Sequence, residues 1–177
     1  MVNVSQTEMV PKAAPFKGPG KGTALLVVDV QERLAPAIPQ APQVVRRIIA
    51  LIEKARDADL PILATEQYSR GLGPTVAPLR GLLAEGEAVE KIHFAAARKA
   101  SSRARLAARG ITRCIVVGME AHVCVLQTAL ALLANGVAVT LVADAVASRD
   151  DLNRRLAVAR LARAGAEVID TDTVLAA

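Results

Sequence analysis

The sequence contains few of the residues on which several common functions depend. Aromatic residues make up 2% of the chain, tryptophan is absent, and there are two cysteines and two histidines. Few aromatic side chains argue against the stacking of bases on the protein surface. The two cysteines, Cys114 and Cys124, could form at most one disulfide, and their spacing matches no metal motif.

Long apolar runs are also absent. No run reaches the roughly 18 residues that a membrane-spanning helix needs, although 53% of the residues are hydrophobic. The first 22 residues lack the continuous apolar stretch of a secretory signal. We therefore expect no membrane association and a cytoplasmic location, where the reducing environment disfavours a structural disulfide.

Positive charge is present but dispersed. The net charge is +5, yet the basic residues are spread over helical stretches and mixed with alanine and acidic residues. A nucleic-acid surface needs clustered lysine and arginine for phosphate contacts. We therefore expect no nucleic-acid partner.

The order of apolar segments predicts one α/β domain. Residues 1–22, rich in Pro, Gly and Lys, are interpreted as an exposed lead-in, and residues 23–177 as the domain, whose length suits a single core. Short β-branched runs such as TALLVVD and RCIVVG alternate with amphipathic helical stretches such as 44–58. Because these runs are continuously apolar, they predict parallel strands covered on both faces, a three-layer α/β/α sandwich.

Three polar residues follow predicted strands. Asp29 ends the first apolar run, Lys91 ends a short strand, and Cys124 lies near the first turn of the helix after RCIVVG. Ligands bind beyond the carboxyl ends of parallel strands, and a thiol at a helix start near a cation becomes a thiolate more readily. Each residue also has an ordinary structural interpretation, as a buried apolar thiol, a helix cap and a surface charge.

Four segments then resemble the isochorismatase-like cysteine hydrolase family: TALLVVDVQERL, ATEQYSRGLGPTV, EKIHFAA and VVGMEAHVCVLQTALALLANGVAVTLVADAVASR. The resemblance implies a six-stranded parallel sheet of Rossmann-like topology and a catalytic triad of Asp29, Lys91 and Cys124. It also implies a cis peptide bond between Met119 and Glu120, which aims an N–H group into an oxyanion hole beside Cys124.

The sequence departs from the metal-dependent members of this family. Nicotinamidase-type relatives carry an Asp and several His after the second strand, where this chain reads ATEQYSRGLGP and resembles a metal-free subgroup. His93 and His122 are its only histidines, too few for a zinc site with three or four protein ligands. We therefore expect no metal and no cofactor.

Several further residues receive provisional roles. Glu66, Gln67 and Tyr68 are expected to face the substrate pocket, and Gln31 either orients Asp29 or contacts substrate. The segment 70–74 is either a surface turn or a lid. His122 is interpreted as a helix-capping or surface residue, His93 and Cys114 as structural, and Asp144 and Arg149 as residues that organise a loop near the site or a subunit contact.

The expected partner is a small-molecule substrate, within a homo-oligomer. The leading hypothesis is hydrolysis of a small amide or related C–N bond through a thioester. Two alternatives remain: an isochorismatase-type hydrolysis of a vinyl ether, in which the acid matters and the thiol does not, and a binding protein without turnover, because a fold does not fix a function.

Overall fold

The structure, a computed structural model, describes residues 15–91 and 108–177. In chain order its strands are β1 (Thr23–Val28), β2 (Ile62–Gln67), β3 (Ala88–Lys91), β4 (Arg113–Met119), β5 (Ala138–Ala147) and β6 (Glu167–Ile169). The helices of the described residues are α1 (Ala41–Asp57), α2 (Ser69–Leu72), α3 (Ala77–Arg80), α4 (Leu126–Ala134), α5 (Asp151–Arg163) and α6 (Thr171–Ala176). A 3-10 turn lies at Ala35–Ala37 and a π-helical turn at Ala121–Val125.

The strands form one parallel sheet of six in the order β3-β2-β1-β4-β5-β6. The predicted α/β class and six-stranded parallel sheet are confirmed. The strands β1, β2 and β3 follow one another toward one edge of the sheet, and β4, β5 and β6 follow one another toward the other edge. Such a reversal leaves a crevice at the carboxyl ends of the two central strands, where doubly wound proteins bind their ligands. The crevice here lies between β1 and β4.

Both faces of the sheet are covered, which explains the continuous apolar strands. On β1, Leu25 and Val27 join a core with α1, whereas Leu26 and Val28 join a second core with α4 and α5. The predicted amphipathic helix is α1, and its buried positions follow helical spacing: Ala41, Val44, Ile48, Leu51, Ile52 and Ala55. Burial on both faces follows from alternate side chains of a strand pointing to opposite sides.

The central strands approach most closely just before the carboxyl edge. Gly118 of β4 pairs with Val28 of β1. A Cβ atom on Gly118 would lie 2.1 Å from the carbonyl oxygen of Val28, and the φ angle of Gly118 is +125°. Only glycine combines that backbone angle with so close an approach. This contact lies one residue before Asp29 and one before the end of β4.

The lead-in contacts the domain where the structure describes it. The backbone N–H of Phe16 donates to the carboxylate of Glu167 at 2.8 Å, and its ring is half-buried with the Arg113 guanidinium 6.0 Å from the ring centroid. Residues 1–14 lie outside the described residues. In the described ranges, no helix is long and apolar enough to cross a membrane.

Candidate active site

Asp29 is the first residue after β1 and lies fully inside the protein. Its side chain has 0% exposure and its backbone has a φ angle of +50°. The hydroxyl of Thr65 donates a hydrogen bond of 2.6 Å to Asp29 Oδ1, and Asp29 N–H donates to the Thr65 carbonyl at 3.1 Å. A buried carboxylate is costly unless hydrogen bonds satisfy it. The neighbouring strand β2 therefore holds Asp29 through both side chain and backbone.

Cys124 lies in the π-helical turn that follows β4. It is 6% exposed and packs in the core between the sheet, α4 and α5. The N–H groups of Val123 and Val125 both donate to the carbonyl of Glu120 at 3.1 Å, which defines the turn. Because β1 and β4 are adjacent, the segments that carry Asp29 and Cys124 leave the sheet side by side at its carboxyl edge.

Lys91 is the last residue of β3 and pairs in register with Gln67. Its backbone therefore reaches the same carboxyl edge as Asp29 and Cys124, separated from β1 by β2. The Lys91 side chain lies outside the described residues. His93, expected to be structural, also lies outside them.

The peptide bond between Met119 and Glu120 is cis, at the position that the family resemblance indicates. The carboxylate of Glu120 binds Arg149 through two contacts, Nε to Oε1 at 2.6 Å and Nη2 to Oε2 at 3.2 Å. Burial alone would raise the pKa of Glu120, but the hydrogen bond and charge of Arg149 outweigh it, and the pKa lies below its usual value. The segment before Cys124 is thus held in place by the buried, charged carboxylate of Glu120.

A second contact joins the same two segments. His122 Nδ1 lies 2.9 Å from the hydroxyl of Ser148, the residue next to Arg149. Ser148 and Arg149 together hold both Glu120 and His122, so the segment after β5 supports the turn that carries Cys124. This arrangement agrees with the interpretation of Arg149 as a residue that organises a loop near the site.

The four residues predicted to contact substrate differ in their surroundings. Gln31 has 0% exposure, and its amide binds backbone groups: Nε2 donates to the carbonyls of Gln67 (3.1 Å) and Gly73 (2.6 Å), and Oε1 accepts from Gln67 N–H at 2.8 Å. Glu66 Oε1 accepts from the N–H and hydroxyl of Thr75 at 2.7 and 2.8 Å. Both side chains fasten the segment that follows β2.

Gln67 is the last residue of β2, and Tyr68 follows it. Gln67 is 8% exposed, whereas Tyr68 is 60% exposed and has a φ angle of +42°. Segment 70–74, expected to be either a turn or a lid, consists of the end of the short helix α2 and the two residues after it.

The remaining candidates lie away from the crevice. Cys114 has 0% exposure in the core, and burial raises the pKa of its thiol to about 12. Neither cysteine forms a disulfide. Asp144 forms an ion pair with Arg47 at 2.9 Å and accepts hydrogen bonds from the N–H and hydroxyl of Thr171. Asp144 therefore fastens α1 and α6 to the sheet.

Residues 15–91 and 108–177 contain no group of three or more His, Cys, Asp or Glu side chains that could hold a metal ion. Residues 92–107 include His93 and lie outside that range. The absence of a catalytic metal stays a prediction.

Known proteins are similar to this chain both in sequence and in architecture. The family model for the isochorismatase domain matches residues 23–173. The chain belongs to the isochorismatase family. Among its relatives, isochorismatase domain-containing protein 2A of Mus musculus is 34% identical over 157 residues, 88% of this chain and 74% of that protein. The resemblance found in the four segments is thereby confirmed.

Solved structures of the family have the same fold. The MAR1 ribonuclease of Caenorhabditis elegans superposes with a TM-score of 0.81 at 36% identity, covering 88% of this chain and 80% of that one. The YcaC gene product of Escherichia coli, described as an octameric hydrolase of unknown specificity, superposes with a TM-score of 0.80 at 25% identity over 92% of this chain and 82% of that one. This isochorismatase-family chain therefore has a hydrolase-like fold.

Sequence reasoning did not identify two polar residues that the structure places beside the site. Thr65 binds Asp29, and Ser148 contacts His122. Thr65 is the one hydroxyl residue in the strand segment ILATEQ, which is a usable signal, because a hydroxyl group that a covered strand buries needs a hydrogen-bond partner. Nothing in the sequence pairs Ser148 with His122, which is 26 residues away.

Proposed function

We propose that this isochorismatase-family chain is a cysteine hydrolase that cleaves a small amide or a related C–N bond through a thioester on Cys124. The observation that supports the proposal is that Asp29 directly follows β1 and that Cys124 lies in the turn that follows the adjacent strand β4. A buried acid and a buried thiol at the carboxyl edge where the strand order reverses supply a proton acceptor and a nucleophile.

In the first half-reaction, Asp29 takes the thiol proton and the sulfur of Cys124 attacks the carbonyl carbon. The oxyanion that forms accepts hydrogen bonds from backbone N–H groups of the turn at 120–124. Asp29 then gives its proton to the leaving nitrogen, the C–N bond breaks, and an amine or ammonia leaves behind a thioester.

In the second half-reaction, water attacks the thioester carbonyl and gives a proton to Asp29. The C–S bond breaks, a carboxylic acid leaves, and the proton returns to the thiol of Cys124. Lys91 is assigned to the same edge as the cation that stabilises the carboxylate and the thiolate. Its position at the end of β3, in register with Gln67, supports this role.

The test is a screen of small amides for ammonia release by the wild-type chain, Cys124→Ala and Asp29→Asn. The proposal requires both substitutions to reduce turnover by a factor of about 10³ or more, because residues of one catalytic unit fail together. Cys114→Ala is the matched control and should keep full activity. A vinyl ether is screened in parallel for release of its carbonyl product, and its hydrolysis by the wild type and by Cys124→Ala but not by Asp29→Asn would favour vinyl-ether chemistry. Binding of these small molecules by the wild type without turnover of either class would favour a binding protein.

We propose a homo-oligomer without a nucleic-acid partner. The octameric YcaC relative supports assembly, as do two leucines on α5, Leu152 and Leu156, which are 52% and 59% exposed. Against nucleic acid, many arginines are already paired with carboxylates: Arg47, Arg56, Arg80, Arg113, Arg149, Arg154 and Arg155. Because one relative is named a ribonuclease, cleavage of a labelled single-stranded RNA by the wild type but not by Cys124→Ala would contradict this part.

We also propose a cytoplasmic location. Both cysteines are buried and neither forms a disulfide, which suits a reducing compartment. Fractionation of cells that express the tagged chain tests this proposal, and recovery outside the cytosolic fraction would contradict it.

A further inference from the structure

Tyr68 combines three features that rarely occur together. Its side chain is 60% exposed, the highest value among the large apolar residues of the described ranges. Its backbone is left-handed, with φ +42° and ψ +65°, a conformation that is costly for a bulky residue and concentrates at functional sites. Its ring lies on Gly71, where an added Cβ atom would be 2.3 Å from Tyr68 Cε1. A side chain at position 71 would displace the ring.

The backbone that carries this ring is fastened at both ends. Gln31 holds the N–H and carbonyl of Gln67, the residue before Tyr68, and also the carbonyl of Gly73. Glu66 holds Thr75 beyond the loop. Gln31 is fully buried and Glu66 is half-buried. Their hydrogen bonds are therefore not simple surface contacts.

A third set of hydrogen bonds comes from the segment that follows Asp29. The N–H of Arg33 donates to the carbonyl of Leu72 at 2.9 Å, and its guanidinium donates to the carbonyl of Gly71 at 3.0 Å. The loop is therefore anchored to the same stretch of chain that positions Asp29. Because the loop is already held in place, it loses less conformational entropy when its aromatic ring binds a ligand.

Tyr68 also lies at the edge where the crevice opens. It follows β2, which neighbours β1, and β1 neighbours β4. Two strand spacings correspond to about 10 Å between the ends of β2 and β4. A simple amide is too short to span that distance, whereas an amide that carries an aromatic ring extends most of the way toward the end of β2.

We propose that Tyr68 is a rigid aromatic platform that favours substrates with a flat, apolar group attached to the amide. Gln31, Glu66 and Gly71 are positioning residues of this platform. This role explains why the polar atoms of Gln31 and Glu66 bind the chain on either side of Tyr68. The inference rests on the proposed function, because it assumes that substrate reacts at Cys124. It adds a substrate class to that function.

The experiment compares two alkylating probes, iodoacetamide and iodoacetanilide, which differ by one phenyl ring. In both reactions the thiolate displaces iodide and a C–S bond forms. The second-order rate constant at Cys124 is measured by peptide mass spectrometry and divided by the rate of each probe with glutathione. We expect the corrected rate to favour iodoacetanilide about fivefold, as expected for one aromatic stacking contact.

Four variants separate the platform from general effects on folding, which thermal unfolding monitors. Tyr68→Phe should keep the preference, while Tyr68→Leu and Gly71→Ala should reduce it to about one. Gly81→Ala is the matched control for Gly71→Ala, because a Cβ there meets only the Ala77 carbonyl oxygen at 3.7 Å. It should keep the preference.

The outcomes separate the two proposals. If Cys124 reacts rapidly with both probes and Tyr68→Leu leaves their ratio unchanged, the platform is wrong and the cysteine hydrolase stands. If Cys124 reacts with neither probe in the wild-type chain, both proposals are wrong.

Discussion

Thr65 Oγ1 donates a 2.6 Å hydrogen bond to Asp29 Oδ1, and both residues are buried, at 7% and 0% exposure. The bond joins β2 to the residue that follows β1, at the level of the proposed proton acceptor. It fixes the carboxylate plane of Asp29 without adding a charge.

We expect Thr65→Val to reduce turnover about 10- to 100-fold, because a buried carboxylate oxygen that loses this donor costs about 1–3 kcal/mol and the position of the Asp29 carboxylate is less well defined. Valine has nearly the shape of threonine, so packing is retained. Thr65→Ser keeps the hydroxyl and should restore most of the activity. Steady-state kinetics with the best amide of the screen measures both, and equal rates for Val and Ser would show that the hydrogen bond does not matter.

The two cysteines should differ strongly in reactivity. Burial raises the pKa of Cys114 to about 12, so its thiol stays protonated and unreactive near pH 7. We expect iodoacetamide to modify Cys124 at least 100-fold faster than Cys114 near pH 7. Peptide mass spectrometry over a pH series gives both rates, and comparable rates would remove the support for an activated thiol.

Removal of the cation beside Glu120 should destabilise the fold in a pH-dependent way. The pKa of Glu120 lies below its usual value because Arg149 outweighs the effect of burial. The stabilisation is therefore present above the ordinary glutamate pKa of about 4.3 and is lost as the pH falls through the lowered folded value. We expect Arg149→Gln to lower the urea midpoint at pH 7 and to have a smaller effect near pH 3.

Arg160→Gln is the control for this experiment, since Arg160 is an exposed arginine on α5. It should leave both midpoints unchanged. An Arg149→Gln effect of the same size at both pH values would mean that packing, and not charge, holds Glu120.

Gly118→Ala should prevent correct assembly of the two central strands. Its Cβ atom would lie 2.1 Å from the Val28 carbonyl oxygen, so the strands must separate, at a cost of about 4 kcal/mol or more. Gly136 also has a positive φ angle, +75°, but nothing lies within 4 Å of an added Cβ atom. Gly136→Ala should therefore cost only about 1–2 kcal/mol. Denaturation with urea compares the two variants, and similar losses would refute the close-approach argument.

Much of the fold could be predicted from the sequence because it depends on local, repeating patterns. The apolar runs of β1 and β4 are continuous, the spacing in α1 is helical, and both patterns reflect burial that each segment must achieve. Asp29 and Cys124 could be identified as site candidates because each follows a strand, and the ends of parallel strands meet at one edge.

The sequence by itself thus determined the layers, the strand ends and the family. Only the tertiary structure decided what surrounds each candidate: that Thr65 binds Asp29, that Arg149 binds Glu120, and that Gln31 binds backbone groups while Tyr68 remains exposed. The physical reason is that a hydrogen bond depends on distances of a few tenths of an ångström between residues far apart in the chain. Periodicity and spacing carry no information at that scale.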